Sequence, residues 1–316
     1  MRDHGGGVDA AAAQFGGERG DWIDLSTGIN PAPYPLPRFD PDCWTALPDR
    51  AAYTQLVNAA RAFWQIPESA SIIAAPGASA LIARLPAIHP PGRVQINGPT
   101  YNEHAASYSD HGWTIVTDRA DVRVVVHPNN PDGRLWQTPD ADDDWALTMT
   151  VIDESFCDVM PEASLIDHTA RRGTIVLKSF GKFWGLAGLR LGFAIGDPDL
   201  IAQLDRRLGP WAVSGPAIAT ATQALRDADW AEATRARLTR DAARLDAAMI
   251  ACGASVVGGT TLFRLYDTAN AERWQRHLAS HRIWSRRFPY SERWLRLGLP
   301  ASTQWDRIET ALATIA

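Results

Sequence analysis

The chain has almost no lysine. Of 31 lysines and arginines in 316 residues, only Lys178 and Lys182 are lysines, and they stand four apart in the stretch 178–192, "KSFGKFWGLAGLRLG". Lysine-rich arms are therefore excluded. With a net charge of −5 there is also no electrostatic footprint for nucleic acid or an anionic membrane surface. Cysteine is scarce too. Cys43, Cys157 and Cys252 are far apart, odd in number and outside CxxC spacing, which argues against a disulfide framework or a zinc site and fits a reducing compartment. No apolar run approaches the roughly 20 residues that cross a bilayer. The N-terminal stretch lacks the basic-then-apolar layout of a signal peptide, so a cytoplasmic protein is expected. There is no G-x-G-x-x-G after a strand, no P-loop and no HExxH, which leaves nucleotide and zincin chemistry unsupported.

What is present is a repeating pattern of short apolar runs. "SIIAAPGAS", "RVQINGPTY", "VRVVVHPNNPDG", "LTMTVIDES", "GTIVLKSF" and "LRLGFAIGD" are each bounded by polar or Gly/Pro clusters. Such runs suit strands buried on both faces, so the pattern predicts an α/β fold with a largely parallel sheet between helices. Ligands of these sheets gather at the strands' carboxyl ends, where most of the runs carry residues able to do chemistry. Residues 50–66 show helical periodicity. An Ala-rich helical stretch follows residue 210, with Gly253 as its stop, and strands around a helix near 271–281 suggest a small α+β domain. The acidic run "DADDD" at 140–144 reads as a solvated loop or helix start. The expected organisation is an ordered arm over 1–40, a large domain over 41–208 and a small domain over 209–316.

Lys182 follows a buried strand and is flanked by Gly181, Phe183, Trp184 and Gly185. An amine forms a Schiff base only when part of it is unprotonated, and a partly desolvated site favours that state. Ser179 and Arg190 suit a phosphate dianion, the serine through its hydroxyl and the arginine through a bidentate fork. The bland alternative is a surface lysine in a turn. Ser179 and Lys182 also spell the S-x-x-K of serine hydrolases, but that chemistry needs a K-T-G element, and the chain has no lysine left to supply one.

The stretch around Lys182 resembles the lysine signature of fold-type I enzymes dependent on pyridoxal 5′-phosphate (PLP). The resemblance implies a seven-stranded, mostly parallel sheet in a large cofactor-binding domain, with a smaller α+β domain to which the N-terminal arm contributes. It makes Lys182 the cofactor lysine, with Ser179 and Arg190 on the phosphate. Ala78 and Ser79 in "APGASA" match the phosphate-cradling turn into a helix. Tyr101 in "GPTY" matches the aromatic stacked on the pyridine. Asn130 in "HPNNPDG" matches the asparagine on the phenolic oxygen, and Asp153 the carboxylate at the ring nitrogen. Taken alone, these would be an ordinary turn, a core tyrosine, a second turn and a helix cap. Tyr53 matches a tyrosine that reaches the partner's phosphate, which implies a homodimer. Arg296 alternates with leucines in "RWLRLGL", a pattern usual for a solvated strand face, yet it matches the carboxylate-binding arginine.

Two features narrow the branch. "DESF" places Phe156 where many aminotransferases have tyrosine. The opening "HGGGVDAAAAQFGGERGDWIDLSTGINPAPYP" resembles that of L-threonine-O-3-phosphate decarboxylases, which implies a phosphorylated amino-acid substrate and a product used for cobalamin. His4, Gly5, Asn30 and Asn130 would then meet substrate, as would Arg286, with Arg287 an open alternative. The bond at Cα held perpendicular to the cofactor ring is the one that breaks, so orientation separates decarboxylation from transamination. A histidinol-phosphate-type aminotransferase is the alternative reading.

Overall fold

The computed structural model describes residues 4–137 and 147–315, so the acidic run at 140–144 lies outside the described residues. The chain divides into two compact units. One, the sheet unit, comprises Tyr34–Asn130 and Leu135–Glu232; the other, the arm unit, comprises Met1–Pro33, Pro131–Arg134 and Ala233–Ala316.

The sheet unit is built on seven strands: β2 (Ser71–Ala75), β3 (Arg93–Ile96), β4 (Thr114–Val116), β5 (Val122–Val126), β6 (Met149–Asp153), β7 (Thr174–Ser179) and β8 (Gly192–Gly196), in the order β2-β8-β7-β6-β5-β3-β4. The pairings from β4 through β3, β5 and β6 to β7 are parallel, whereas β8 runs antiparallel to both β7 and β2. Every residue of β6 and β8 is buried, which explains why these runs read as continuous apolar stretches. Strand β4 is different: Thr114 and Ile115 are exposed on the sheet edge, so it carries no such run. Residues 180–191 join the antiparallel neighbours β7 and β8, and this short connection carries Lys182.

Local chemistry sets the helix ends. Asp197 opens α6 (Pro198–Leu208) by accepting from the Asp199 and Leu200 amides, while Pro198 fills a first-turn position that needs no N–H donor. Helix α3 (Arg50–Phe63) buries Leu56, Ala59 and Ala60 along one face. The Ala-rich stretch is two helices, α7 (Gly215–Ala224) and α8 (Ala228–Ala251), where one continuous helix was expected. Between them, Asp227 takes the Trp230 amide on one oxygen and the Tyr34 hydroxyl on the other. The unit boundary falls inside α8, at 232/233, whereas the sequence suggested 208/209. Helix α7 stays with the sheet unit because it packs on α3 and buries Ala217, Ile218 and Ala221.

In the arm unit, α1 (Val8–Phe15) packs Val8 and Ala11 with Trp22 and Ala279. Strand β1 (Ile23–Asp24) pairs in parallel with β11 (Ile283–Trp284). A second, antiparallel sheet runs β12-β13-β10-β9, formed by β9 (Ser255–Thr260), β10 (Phe263–Asp267), β12 (Arg286–Phe288) and β13 (Ser291–Gly298). The helices α9 (Ala271–Ser280) and α10 (Trp305–Ala313) complete the unit. Among the described residues no helix is long and apolar enough to cross a membrane.

Candidate active site

Within the sheet unit, three strand ends bring the predicted anion-binding residues together. Ser179 pairs with Gly192 across β7 and β8, and Ala75 pairs with Gly192 on its other side. A Cβ on Gly192 would lie 2.4 Å from the Ala78 nitrogen, so only glycine lets α4 (Ala78–Ile82) begin here. Arg190 is exposed and left-handed (φ 52°), and it donates to the Ser79 hydroxyl at 2.9 Å. Gly77 is at φ 88°, a left-handed conformation that favours glycine, and the Arg190 guanidinium lies against it. The Ser179 hydroxyl accepts the Gly181 amide at 3.2 Å.

Asp153 is 2 % exposed at the end of β6. Its Oδ2 lies 2.8 Å from His104 Nε2, and its Oδ1 accepts the Ser155 amide at 3.0 Å and the Ser155 hydroxyl at 2.5 Å. Burial alone would raise its pKa. The His104 bond and charge, followed by the two Ser155 donors, outweigh burial and hold it below the usual aspartate value. An ionised carboxylate only accepts, so His104 Nε2 is the donor. Tyr101, at the start of α5 (Asn102–Asp110), has its hydroxyl pushed up to about 12, first by burial and next by the charge of Asp153, with Arg190 acting in the opposite sense. The tyrosine thus lies within reach of both the buried carboxylate and Arg190. Asn129 fixes the same loop: its side chain donates to the Pro99 carbonyl at 3.0 Å and accepts from the Thr100 hydroxyl at 2.6 Å. Asn130 is the next residue.

The two lysines have opposite settings. The Lys178 amine is buried, 2.6 Å from Glu154 and 3.6 Å from Asp158. Burial disfavours its charge, but Glu154 and then Asp158 prevail and hold its pKa above the ordinary lysine range. That amine cannot act as a nucleophile. Lys182 sits in a turn closed by the Gly185 amide on the Lys182 carbonyl, with Gly185 at φ 70°. Its amine stands over the Phe156 ring, 5.2 Å from the centroid. Tyr53 does not join this group in the chain's own fold. It shares the inward face of α3 with Leu56, and its hydroxyl accepts the Ala74 amide at 2.9 Å, the placement of a packing tyrosine.

In the arm unit, Arg296 is 5 % exposed, which corrects the solvated-face pattern: Leu295 and Leu297 fill one side of β13, yet Arg296 is buried on the other. It donates to the Ser26 carbonyl at 2.7 Å. Burial, then the like charge of Arg286, brings its pKa down to about 10. Arg286 is its direct cross-strand partner, whereas Arg287 pairs with Leu295 in the ladder and reaches Glu272 at 3.3 Å. Two arginines directly opposite are unfavourable unless an anion offsets them. Arg286 also donates to the His4 carbonyl. Gly5 fits where a Cβ would be 2.5 Å from the Ser26 carbonyl oxygen. His4, Gly5, Ser26, Ser285, Arg286 and Arg287 line a cavity of about 970 Å3. The buried Asn30 accepts from Arg237 at 2.6 Å and from the Ala32 amide at 3.0 Å, so its oxygen holds the arm in place.

The model of the family "Aminotransferase class I and II" matches residues 117–315. A threonine-phosphate decarboxylase of Sinorhizobium sp is 38% identical over 96% of this chain and 95% of its own length. The chain belongs to the class I and II aminotransferase family. A threonine-phosphate decarboxylase of Pseudomonas aeruginosa is 36% identical over 99% of this chain and 97% of its own. The histidinol-phosphate aminotransferase of Sinorhizobium meliloti, solved with pyridoxal-5′-phosphate, superimposes with a TM-score of 0.80 at 20% identity, covering 98% of this chain and 94% of that one. That likeness shows the shared fold. In this family member the residues that sequence reasoning missed are His104, Ser155 and Asn129.

Proposed function

We propose that the chain is a PLP-dependent decarboxylase of O-phospho-L-threonine, forming (R)-1-amino-2-propanol O-2-phosphate for cobalamin synthesis, and that it works as a homodimer in the cytoplasm. The observation that carries the cofactor reading is the contrast between the lysines: Lys178 is sealed in an ion cluster, while Lys182 sits on the tight loop between β7 and β8. Asp153, kept ionised at full burial, suits a protonated pyridine nitrogen. Ser79, Ser179 and Arg190 form a polar cradle, and Gly192, where a Cβ would strike the Ala78 backbone, lets the turn into α4 pack against the strand that carries it. These residues fit PLP.

Tyr101 would cover the ring face and Asn130 would meet its phenolic oxygen. When bound, PLP supplies an electron sink for the bond broken at Cα. The chain's own residues do the rest. Lys182 would hold the cofactor and would be the acid that delivers a proton to Cα. Arg286, Arg296, His4, Gly5 and Asn30 would bind the substrate's anionic groups, and the paired positive charge of Arg286 and Arg296 favours a dianionic substrate. Phe156 presents a ring where a tyrosine would offer a hydroxyl, a departure that argues against ordinary transamination. The test is direct. With O-phospho-L-threonine, carbon dioxide and the amino product should appear in equal amounts without 2-oxoglutarate. Consumption of 2-oxoglutarate by histidinol phosphate, with no carbon dioxide released, would instead support the aminotransferase reading.

A further inference from the structure

Behind the cofactor face of the sheet lies a charge cluster that the proposed reaction does not use. Residues alternate sides along a strand, so Asp153 and Ser179 turn one way while their neighbours Glu154 and Lys178 turn the other. Lys178 lies 2.6 Å from Glu154 and 3.6 Å from Asp158, and all three are buried. Each carboxylate oxygen has its own donor. Glu154 takes the Ser164 hydroxyl and the Leu165 amide; Asp158 takes the Trp64 indole at 2.9 Å and the Trp184 indole at 3.1 Å. The Glu154 amide bonds the Leu177 carbonyl at 2.9 Å and so extends the β6–β7 ladder past Asp153.

The cluster holds both flanks of the reactive loop. Lys178 is four residues before Lys182 and Trp184 two after, and Asp158 grips both. The Trp184 ring is then stacked between Phe180, at 5.0 Å and 8°, and Trp230, at 5.4 Å and 11°. A metal role does not suit these groups. His127, Glu154 and Cys157 bring ligand atoms within 4.8 Å of one another, but His127 spends Nε2 on the Ala163 carbonyl and Nδ1 on the Trp136 amide, and Glu154 is committed to Lys178. Stability alone is a poor reason for the cluster, because a buried ion group is often no more stable than apolar residues of the same volume. Its directional bonds do set geometry, which apolar packing would leave loose.

We infer that Glu154, Lys178 and Asp158 are positioning residues that fix the Lys182 loop relative to Asp153. The inference rests on the assignment of Lys182 and PLP made above. Three variants test it: Lys178→Arg, the neutral double change Glu154→Gln with Lys178→Met, and Trp184→Phe, which removes the indole donor to Asp158 and trims a ring stacked on Phe180 and Trp230. For each, the thermal midpoint of the cofactor-free protein, the PLP dissociation constant from tryptophan quenching, and kcat and KM are measured. In the double variant the midpoint should stay within a few degrees of wild type, while PLP affinity and kcat each fall about tenfold and KM changes less than about twofold, the pattern of a displaced reactive group. Lys178→Arg should recover both to within about threefold, and Trp184→Phe should lose about threefold in each. Wild-type affinity and kcat in both the double variant and Trp184→Phe would overturn the inference, as would losses confined to the thermal midpoint. If the double variant does not fold, Trp184→Phe decides alone. A wild-type protein that fails to bind PLP would overturn the cofactor reading instead.

Discussion

Two arginines proposed to bind anions sit in opposite surroundings. Arg190, in the sheet unit, is exposed on a left-handed turn and already bonded to Ser79. Arg296, in the arm unit, is buried, faces Arg286 across the ladder, and is pushed down to about 10. The first is held by the Ala187 carbonyl and the Ser79 hydroxyl, the place proposed above for the cofactor phosphate. The second is a charged pair whose repulsion a bound anion would relieve.

The largest effect that would sharpen this contrast is at the cofactor end. Lys182→Ala should lower decarboxylation by about four orders of magnitude, measured as carbon dioxide released from O-phospho-L-threonine. Asp153→Asn should follow, with kcat down about 10²- to 10³-fold at nearly unchanged KM. Replacing the substrate arginines should do the reverse. Arg296→Met is expected to raise KM by about 10- to 100-fold with kcat nearly unchanged. Equal losses in kcat and KM for Asp153→Asn and Arg296→Met would break the comparison. Arg286→Ala should resemble Arg296→Met, whereas Arg287→Ala should shift KM by less than about threefold, since it leans on exposed Glu272.

The smallest effect is on acid stability. Asp153 has a folded pKa below its unfolded value, which is near 3.9. Its contribution is therefore complete above about pH 4 and is lost as the pH falls through the depressed folded value. Denaturation of the cofactor-free protein followed below about pH 4 should show a shallower loss for Asp153→Asn than for wild type.

Much of the cofactor end was legible in the sequence because it depends on strand-end position. A buried apolar run specifies its own strand, and the residue that ends it is then placed by topology, which is why Asp153, Ser179 and the Lys182 loop fall where the patterns put them. Edge strand β4 was not legible, since Ile115 and Thr114 face outward and no run marks them. His104 and Ser155 were missed because a side chain that supports another across 49 residues of sequence, or from a neighbouring turn, leaves no periodic trace. Arg296 was legible only as one arginine in an alternating strand. Whether that face is wet or buried depends on what packs over it, and an alternating pattern reads the same in both cases. The break between α7 and α8 was hidden for a similar reason: Asp227 is an ordinary helix-compatible residue until Tyr34 and the Trp230 amide claim its two oxygens.

The central claim is that one particular amine carries the cofactor. Borohydride reduction of PLP-saturated protein followed by peptide mass spectrometry tests it. The account predicts a pyridoxyl mass on Lys182 and none on Lys178; modification of Lys178, or of neither lysine, would contradict it.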